Sequence, residues 1–295
     1  MLPGQESGAI ADTAGLAVDR QSASTTSRTV PRPVEILGVR VSALSLGETA
    51  DRILEWASGS PPGEAVRYVC ATSVHGLVEA AQNVSFREIL NGASIVTADG
   101  MPLVWLGRLI GSRGMERVYG PDLLLEVARQ SVARRVRHFF YGGMPGVAQE
   151  LGRQLRSRFP GLEVAGTYCP PFRPLTRAEE DDVVVRINES RADIVWVGLS
   201  TPKQERWIAS LRRLLSVKVL VSVGAAFDFH SGRVRQAPLW MRRSGLEWLF
   251  RLSREPGRLW TRYAVNNPLF IGLALLQLSG LRKASEGQAN DRGDE

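Results

Sequence analysis

An aspartate in a strand-to-helix turn is the residue of this sequence best placed to do chemistry. Ile95 to Thr97 is typical of the end of a buried strand, and Met101 to Ile110 has apolar residues at helical spacing. Asp99 and Gly100 therefore fall in the turn between them. Such turns are where open α/β sheets bind ligands. The carboxylate could act there as a base, or it could cap the helix by accepting hydrogen bonds from the N–H groups of residues 101 or 102.

A glycine-rich turn follows the strand predicted at residues 138–141. Gly142, Gly143 and Gly146, together with Pro145, open the next helix in a way that suits a bound phosphate. The spacing is not the GxGxxG of dinucleotide-binding domains, and no acidic residue follows the next strand to bind a ribose. The alternative is that these glycines are ordinary turn residues.

Two further strand ends carry polar side chains. The loop at 198–207 enters a helix predicted to begin at Pro202, which would leave N–H groups free for an anion beside Lys203 and Gln204. A solvated helix start is the plain alternative. Asp228 lies between two phenylalanines and needs a partner if it is buried, either a backbone cap or the N–H of a bound nucleotide base.

These positions are set by strands and helices that alternate along most of the chain. The pattern predicts a Rossmann-like α/β fold, a mostly parallel sheet with helices on both faces. Residues 34–44 are predicted to form a strand or hairpin. Strands are predicted at 66–72, 95–97, 138–141, 162–165, 194–197 and 217–223, and helices at 45–56, 74–81, 101–110, 121–133, 145–158, 178–190 and 202–214.

Four segments are predicted along the chain. Residues 1–33 are rich in Ser, Thr, Ala and Gly and are predicted to be disordered, as is the tail at 284–295. Residues 34–232 are predicted to form the α/β core. Residues 233–283 are predicted to form a basic amphipathic segment that associates with a membrane.

The basic segment holds most of the net charge of the chain. Between Arg233 and Tyr263 there are eight arginines and two glutamates, and a new helical segment is predicted to start at Pro256. Residues 268–281 are apolar, but 14 residues are too few to span a bilayer, which takes about 20. They should lie on the membrane or pack against the core. The alternative is a solvated basic face with a core helix.

Composition limits the partners and the compartment. The net charge of +7 indicates an anionic partner: nucleic acid, an anionic membrane or a phosphorylated substrate. Cys70 and Cys169 lack CxxC spacing and the three histidines are scattered, which argues against a metal site and a disulfide scaffold. Residues 1–33 lack the apolar run of a signal peptide, so a cytoplasmic protein is predicted.

Several stretches together resemble the WecG/TagA/CpsF family of bacterial glycosyltransferases, in family order and over roughly residues 34–280. They are ADG at 98–100, ERVYGPDLL at 116–124, FFYGGMPGV at 139–147, DIVWVGLSTPKQERWI at 193–208 and GAAFDFHSGRVRQAPLWMRRSGLEWLFRLSREPGRLW at 224–260. By this resemblance Asp99 is the catalytic base.

The substrate-binding site predicted from the residues and the resemblance together comprises Thr72, Ser73, Gly100, Arg117, Gly142, Gly143, Lys203, Gln204, Asp228, Arg251 and Arg258. The sequence departs from the family at Ala71 and Ser73, where Thr and Asn are common. It departs again at Thr261, where an Arg is expected and Arg262 is the nearest substitute. Arg117 could hold a diphosphate, or it could pair with Glu116 or Asp122 on the surface.

The resemblance implies an inverting transferase. It would move N-acetylmannosamine, its uronic acid or glucose from a UDP-sugar to a polyprenyl-diphosphate-linked sugar, in cell-surface or exopolysaccharide synthesis. The enzyme would lie peripherally on the inner face of the plasma membrane, with the basic segment closing over the active site. No cofactor, metal or nucleic acid is expected, and self-association is possible. The alternatives are a non-catalytic module that binds polyanions or membranes, and a nicotinamide-dependent oxidoreductase.

Overall fold

The computed structural model describes residues 32–59 and 65–281, which centre on a six-stranded parallel sheet. Its strands are β3 (Arg67–Thr72), β4 (Ile95–Ala98), β5 (Arg137–Gly142), β6 (Glu163–Tyr168), β7 (Ile194–Gly198) and β8 (Val219–Ser222), in the order β4-β3-β8-β7-β5-β6. An antiparallel hairpin, β1 (Val34–Ile36) and β2 (Val39–Val41), precedes it. The predicted parallel sheet is confirmed. The disorder predicted at the two ends falls outside the described residues, apart from Arg32 and Pro33.

Helices connect the strands and cover both faces of the sheet. They are α1 (Leu46–Gly59), α2 (Val74–Gln82), α3 (Val84–Asn91), α4 (Met101–Leu109), α5 (Gly120–Arg134), α6 (Val147–Arg158), α7 (Arg177–Glu189), α8 (Lys203–Leu211), α9 (Ala226–His230), α10 (Leu239–Arg243), α11 (Glu247–Arg254) and α12 (Pro256–Leu278). The seven helices predicted between the strands occur, with ends within three residues of those expected. Helix α3 was missed. Only Asn83 separates it from α2, and the Asn83 side chain caps α3 by accepting from Phe86 N at 3.0 Å.

Side chains of successive strand residues point alternately into two separate hydrophobic cores, one on each face of the sheet. In β7, Val195 and Val197 belong to one cluster, whereas Ile194 and Trp196 belong to the other. All four are fully buried. This two-sided burial explains why the strands are continuous apolar runs, as parallel strands covered by helices require.

The strand order creates a switch point between β5 and β7. The chain leaves β5 towards the edge strand β6 but leaves β7 in the opposite direction, towards β8. The last residues of the two strands approach closely, since a Cβ on Gly142 would lie 2.5 Å from the carbonyl oxygen of Gly198. Gly142 also has φ of +124°, so no other residue fits there without strain.

The C-terminal helices pack on the core. Helix α12 runs without a break through Pro268, so residues 268–278 are its second half; the apolar segment considered separately in the sequence is part of a longer helix. Phe270 is buried, and the Gln277 side chain accepts from Leu37 N at 2.9 Å and donates to Glu35 O at 2.8 Å. None of the helices described is long and apolar enough to cross a membrane.

A buried histidine makes stability depend on pH. Burial lowers the pKa of His138 to about 4, although the Asp193 charge opposes the shift, and Trp196 Nε1 donates to His138 Nδ1 at 2.8 Å. In the unfolded chain the His138 side chain is protonated below about pH 6.5. In the folded protein it is protonated only below about pH 4. We therefore expect His138 to reduce the free energy of unfolding by about 2 kcal/mol between pH 7 and pH 5. Urea denaturation at both pH values measures this change.

The control is His138→Gln, whose amide oxygen can still accept from Trp196. This variant should lose that part of the pH dependence. An equal pH dependence in the two proteins would show that His138 does not cause it.

Candidate active site

A cavity of about 610 Å³ opens at the carboxyl edge of the sheet, beside the ends of β3, β4 and β8. Helices α11 and α12 contribute residues to the opposite wall. Of the predicted site residues, the cavity brings together Ser73, Asp99, Gly100, Arg117, Gln204 and Arg251. It is not lined by Thr72, Gly142, Gly143, Lys203, Asp228 or Arg258.

Asp99 does not cap the helix that follows it. Gly100 is the N-cap residue of α4, and it makes no side-chain capping bond. The Asp99 Oδ1 atom instead accepts from the backbone N–H of Gly120, the first residue of α5, at 2.8 Å. A Cβ on Gly120 would lie 3.1 Å from the Val223 carbonyl oxygen, so a larger residue would push this backbone away by a few tenths of an ångström. The capping interpretation is wrong because α5, not α4, presents its N-terminus to the carboxylate.

The environment of Asp99 suits a base. Burial raises the pKa of its carboxyl above 3.8, while Arg117 and the Gly120 N–H act in the opposite direction. A carboxylate that is short of water and faces a cavity accepts a proton more readily than one in solution. The arrangement can therefore remove a proton from a hydroxyl group placed in the cavity.

Arg117 is held by three oxygen atoms. It donates to the Asp99 carbonyl oxygen at 2.6 Å, to the Arg242 carbonyl oxygen at 2.9 Å and to Glu247 Oε2 at 2.5 Å. The alternative considered from the sequence, a surface pairing with Glu116 or Asp122, does not occur. Its ion-pair partner lies 130 residues further along the chain, at the start of α11.

Tyr119 shares the same carboxylate. Its hydroxyl donates to Glu247 Oε1 at 2.5 Å, and the Arg117 guanidinium lies 4.1 Å from the centre of its ring. Burial, followed by the charge of Glu247, raises the pKa of Tyr119 well above 10, so the hydroxyl keeps its proton. One glutamate thus connects the C-terminal helices to the segment that holds Asp99.

Three arginines from the C-terminal helices line the cavity, and one of them, Arg242 of α10, donates to Asp122 Oδ1 at 3.2 Å. Arg251 of α11 and Arg262 of α12 line it, and the buried Nε of Arg251 has no hydrogen-bond partner among the described residues. Burial lowers the pKa of Arg262, and the positive charges of Arg251 and Arg258 act in the same direction. Arg258 is exposed and forms an ion pair with Glu255. Arg262, the substitute for Thr261, is therefore the arginine that reaches the cavity beside Arg251.

The loop before α8 has less free backbone than the sequence indicates. The helix starts at Lys203, and Gln204 N donates to Ser200 O at 3.1 Å. The Gln204 side chain is buried; it accepts from Gly224 N at 3.1 Å and donates to Glu205 Oε1 at 2.8 Å. Lys203 is exposed and lies 5.2 Å from the centre of the Phe172 ring. Gln204 therefore holds the turn after β8 at the cavity.

The remaining predicted residues lie beside the cavity. Gly143 N donates to Gly198 O at 3.0 Å, at the switch point. Burial raises the pKa of Asp228, which the charges of Arg258 and Arg233 oppose. The hydroxyl of Thr72 is buried and lacks a hydrogen-bond partner within the described residues. The glycines therefore lie where β5 and β7 end, and Thr72 is the last residue of β3.

The sequence matches one enzyme family over most of its length. The model of the glycosyl transferase WecG/TagA/CpsF family covers residues 34–284. The chain belongs to this family. It is similar to two proteins named N-acetylglucosaminyldiphosphoundecaprenol N-acetyl-beta-D-mannosaminyltransferase, from Bacillus spizizenii (34% identical over 184 residues) and Bacillus subtilis (30% over 183 residues). Each alignment covers 62% of this chain and 69% of the relative.

As a member of the WecG/TagA/CpsF family, the chain is a glycosyltransferase. This assignment replaces both the non-catalytic binding module and the nicotinamide-dependent oxidoreductase. Among the residues that the structure describes, no group of three or more His, Cys, Asp or Glu side chains is arranged to hold a metal ion.

Sequence reasoning missed three residues of this glycosyltransferase site. Tyr119 lies inside the ERVYG motif and Glu247 inside GLEWLF, so both were in stretches that carry the resemblance. His75, one of the three scattered histidines that argued against a metal site, lines the cavity from the first turn of α2, and burial lowers its pKa. Neighbouring motif residues were the available signal, but only the fold brings these three to one cavity.

Loss of the Glu247 charge should destabilise the protein. In Glu247→Gln, Arg117 stays buried without its ion-pair partner, which is expected to lower the free energy of unfolding by about 2–4 kcal/mol. The control is Glu126→Gln, which removes the more exposed ion pair to Arg129 and should cost under about 1 kcal/mol. Chemical denaturation measures both. Equal losses of unfolding free energy in the two variants would show that the ion pair of Glu247 stabilises the protein no more than an exposed one.

Proposed function

We propose that this enzyme transfers N-acetylmannosamine from UDP-N-acetylmannosamine to N-acetylglucosamine carried on undecaprenyl diphosphate. The observation that carries the proposal is a carboxylate of raised pKa, Asp99, in a cavity that also holds Arg117, Arg251 and Arg262. Both relatives are named as enzymes that transfer N-acetylmannosamine to N-acetylglucosaminyldiphosphoundecaprenol, which supports this sugar and this acceptor. Of the three sugars considered from the sequence, they favour N-acetylmannosamine over its uronic acid and glucose.

In the proposed mechanism, Asp99 removes the proton from an acceptor hydroxyl as the oxygen attacks the anomeric carbon. The bond to UDP breaks on the opposite face, so the configuration at that carbon inverts. Negative charge develops on the departing diphosphate. Arg251 and Arg262 lie in the same cavity and can stabilise this charge, which is worth most where water is scarce.

Removal of the base tests the mechanism directly. Asp99→Asn keeps the size of the side chain but abolishes proton acceptance, so kcat should fall about 100-fold or more. Binding of UDP, measured as thermal stabilisation, should persist. Asp181→Asn, in the exposed face of α7, is the control and should keep full activity. Turnover by Asp99→Asn within about threefold of the original enzyme would contradict the role of Asp99.

The C-terminal surface supports the proposed location on the inner face of the plasma membrane. Trp240 and Trp260 are 64% and 62% exposed, and Arg243, Arg254 and Arg258 are exposed on the same group of helices, α10 to α12. Tryptophan favours the membrane interface, while arginine is attracted to anionic lipids. Residues 233–283 are therefore proposed to hold the active site against the membrane that carries the acceptor.

Vesicle binding tests this location. Replacing both Trp240 and Trp260 with Ser should lower cosedimentation with phosphatidylglycerol vesicles about tenfold. UDP should still stabilise the double variant against heat, because neither tryptophan lines the cavity. Leu214→Ser is the control, because Leu214 is exposed and precedes the amino end of β8, whereas the cavity lies at the carboxyl ends of the strands. Unchanged sedimentation of the double variant would contradict the proposed anchor.

A further inference from the structure

The cavity has two chemically distinct ends. At one end lie Asp99 and the four arginines that line the cavity, Arg117, Arg242, Arg251 and Arg262. Away from the strand ends, α4 and the second half of α12 supply apolar side chains to the same cavity. A ligand that fills the whole cavity must therefore be anionic at one end and apolar at the other.

The apolar end is formed by two facing stripes. On α4, Trp105 and Leu109 are one helical turn apart. On α12, Ile271 and Leu275 are one turn apart, and Leu278 continues the stripe. Side chains three or four residues apart share a helix face, so each helix presents a continuous apolar strip to the cavity.

The side chains of these stripes are far more exposed than those of a hydrophobic core. Leu109 is 71% exposed, Leu275 61% and Ile271 57%. Contact with water on a contiguous apolar surface is unfavourable, and such surfaces mark binding sites. The stripes border a cavity with buried positive charge, so the missing partner must carry both an apolar chain and an anion.

We propose that the groove between α4 and α12 binds the first isoprene units of the lipid-diphosphate acceptor, next to its diphosphate. This rests on the proposed function and deepens it by giving the acceptor lipid its own site. The positive charge at this end of the cavity attracts the diphosphate of the acceptor as well as that of the sugar donor. The branched hydrocarbon units have no hydrogen-bonding groups, and neither do the Leu and Ile side chains of the stripes. The acceptor is thereby held along its tail while its sugar lies near Asp99.

The groove makes recognition depend on the tail even without a membrane. The test uses soluble acceptors with an identical N-acetylglucosaminyl diphosphate head and a farnesyl, a linear 12-carbon alkyl or a methyl tail. The KM for the farnesyl acceptor should be at least about tenfold below that for the methyl acceptor, and also below that for the linear one. Equal KM values for farnesyl and methyl, or for farnesyl and linear alkyl, would overturn an isoprenoid site.

Two neighbouring leucines provide a matched pair of variants. Leu275 lines the groove, whereas Leu276 is 46% exposed on the same helix but does not line it. Leu275→Gln should remove most of the farnesyl advantage in KM with little change for the methyl acceptor, and Leu276→Gln should keep it. Both changes are at exposed positions and to a good helix former, so the fold is retained. Equal effects of the two variants would overturn the proposed groove.

A binding measurement separates the groove from the transfer reaction. Farnesyl diphosphate should quench Trp105 fluorescence and bind at least about tenfold more tightly than inorganic diphosphate, with Leu275→Gln removing the difference. If this holds while no acceptor is glycosylated, the groove stands and the proposed function fails. If transfer occurs but both ligands bind equally well, the proposed function stands and the groove is refuted.

Discussion

The candidate active site depends on one largely buried carboxylate, Glu247, that bridges two parts of the chain. It accepts from Arg117 and Tyr119, both at 2.5 Å, and Arg117 in turn donates to the Asp99 carbonyl oxygen. The next residue after Tyr119 is Gly120, whose N–H binds the Asp99 carboxylate. Because these contacts form a chain, the position of α11 and the orientation of the Asp99 carboxylate are coupled. The C-terminal helices are therefore part of the candidate active site.

The electrostatics of the cavity follow from that closure. Glu247 neutralises Arg117, but Arg251 and Arg262 bring two more guanidinium groups to the same wall. Burial lowers the pKa of Arg262 and raises that of Asp99, since each charged form is deprived of water. A carboxylate of raised pKa thus lies beside guanidinium groups. This pairing suits the proposed reaction, in which a proton is taken up and negative charge develops on a diphosphate.

Local patterns predicted the elements well because each helix and strand is set by its own periodicity and breakers. Helix α3 was missed because it starts one residue after α2 and is only eight residues long. Partners were predicted poorly. The alternatives considered for Arg117 and Asp99 were a pairing with neighbours in sequence and a cap for the adjacent helix, whereas their partners are Glu247 and Gly120. Contacts across 21 or 130 residues leave no mark on local spacing.

The sequence by itself determined the parallel sheet, the turn that carries Asp99 and the family, because strand burial, helix periodicity and motif order are properties of the linear chain. The tertiary structure decided which residues meet. It brought Arg262 and Arg251 to the cavity but left Arg258 exposed, since the rotation of α11 and α12 is set by packing on the core rather than by helical spacing. It also brought the apolar stripes of α4 and α12 to one cavity, because only the fold joins segments that are distant in sequence.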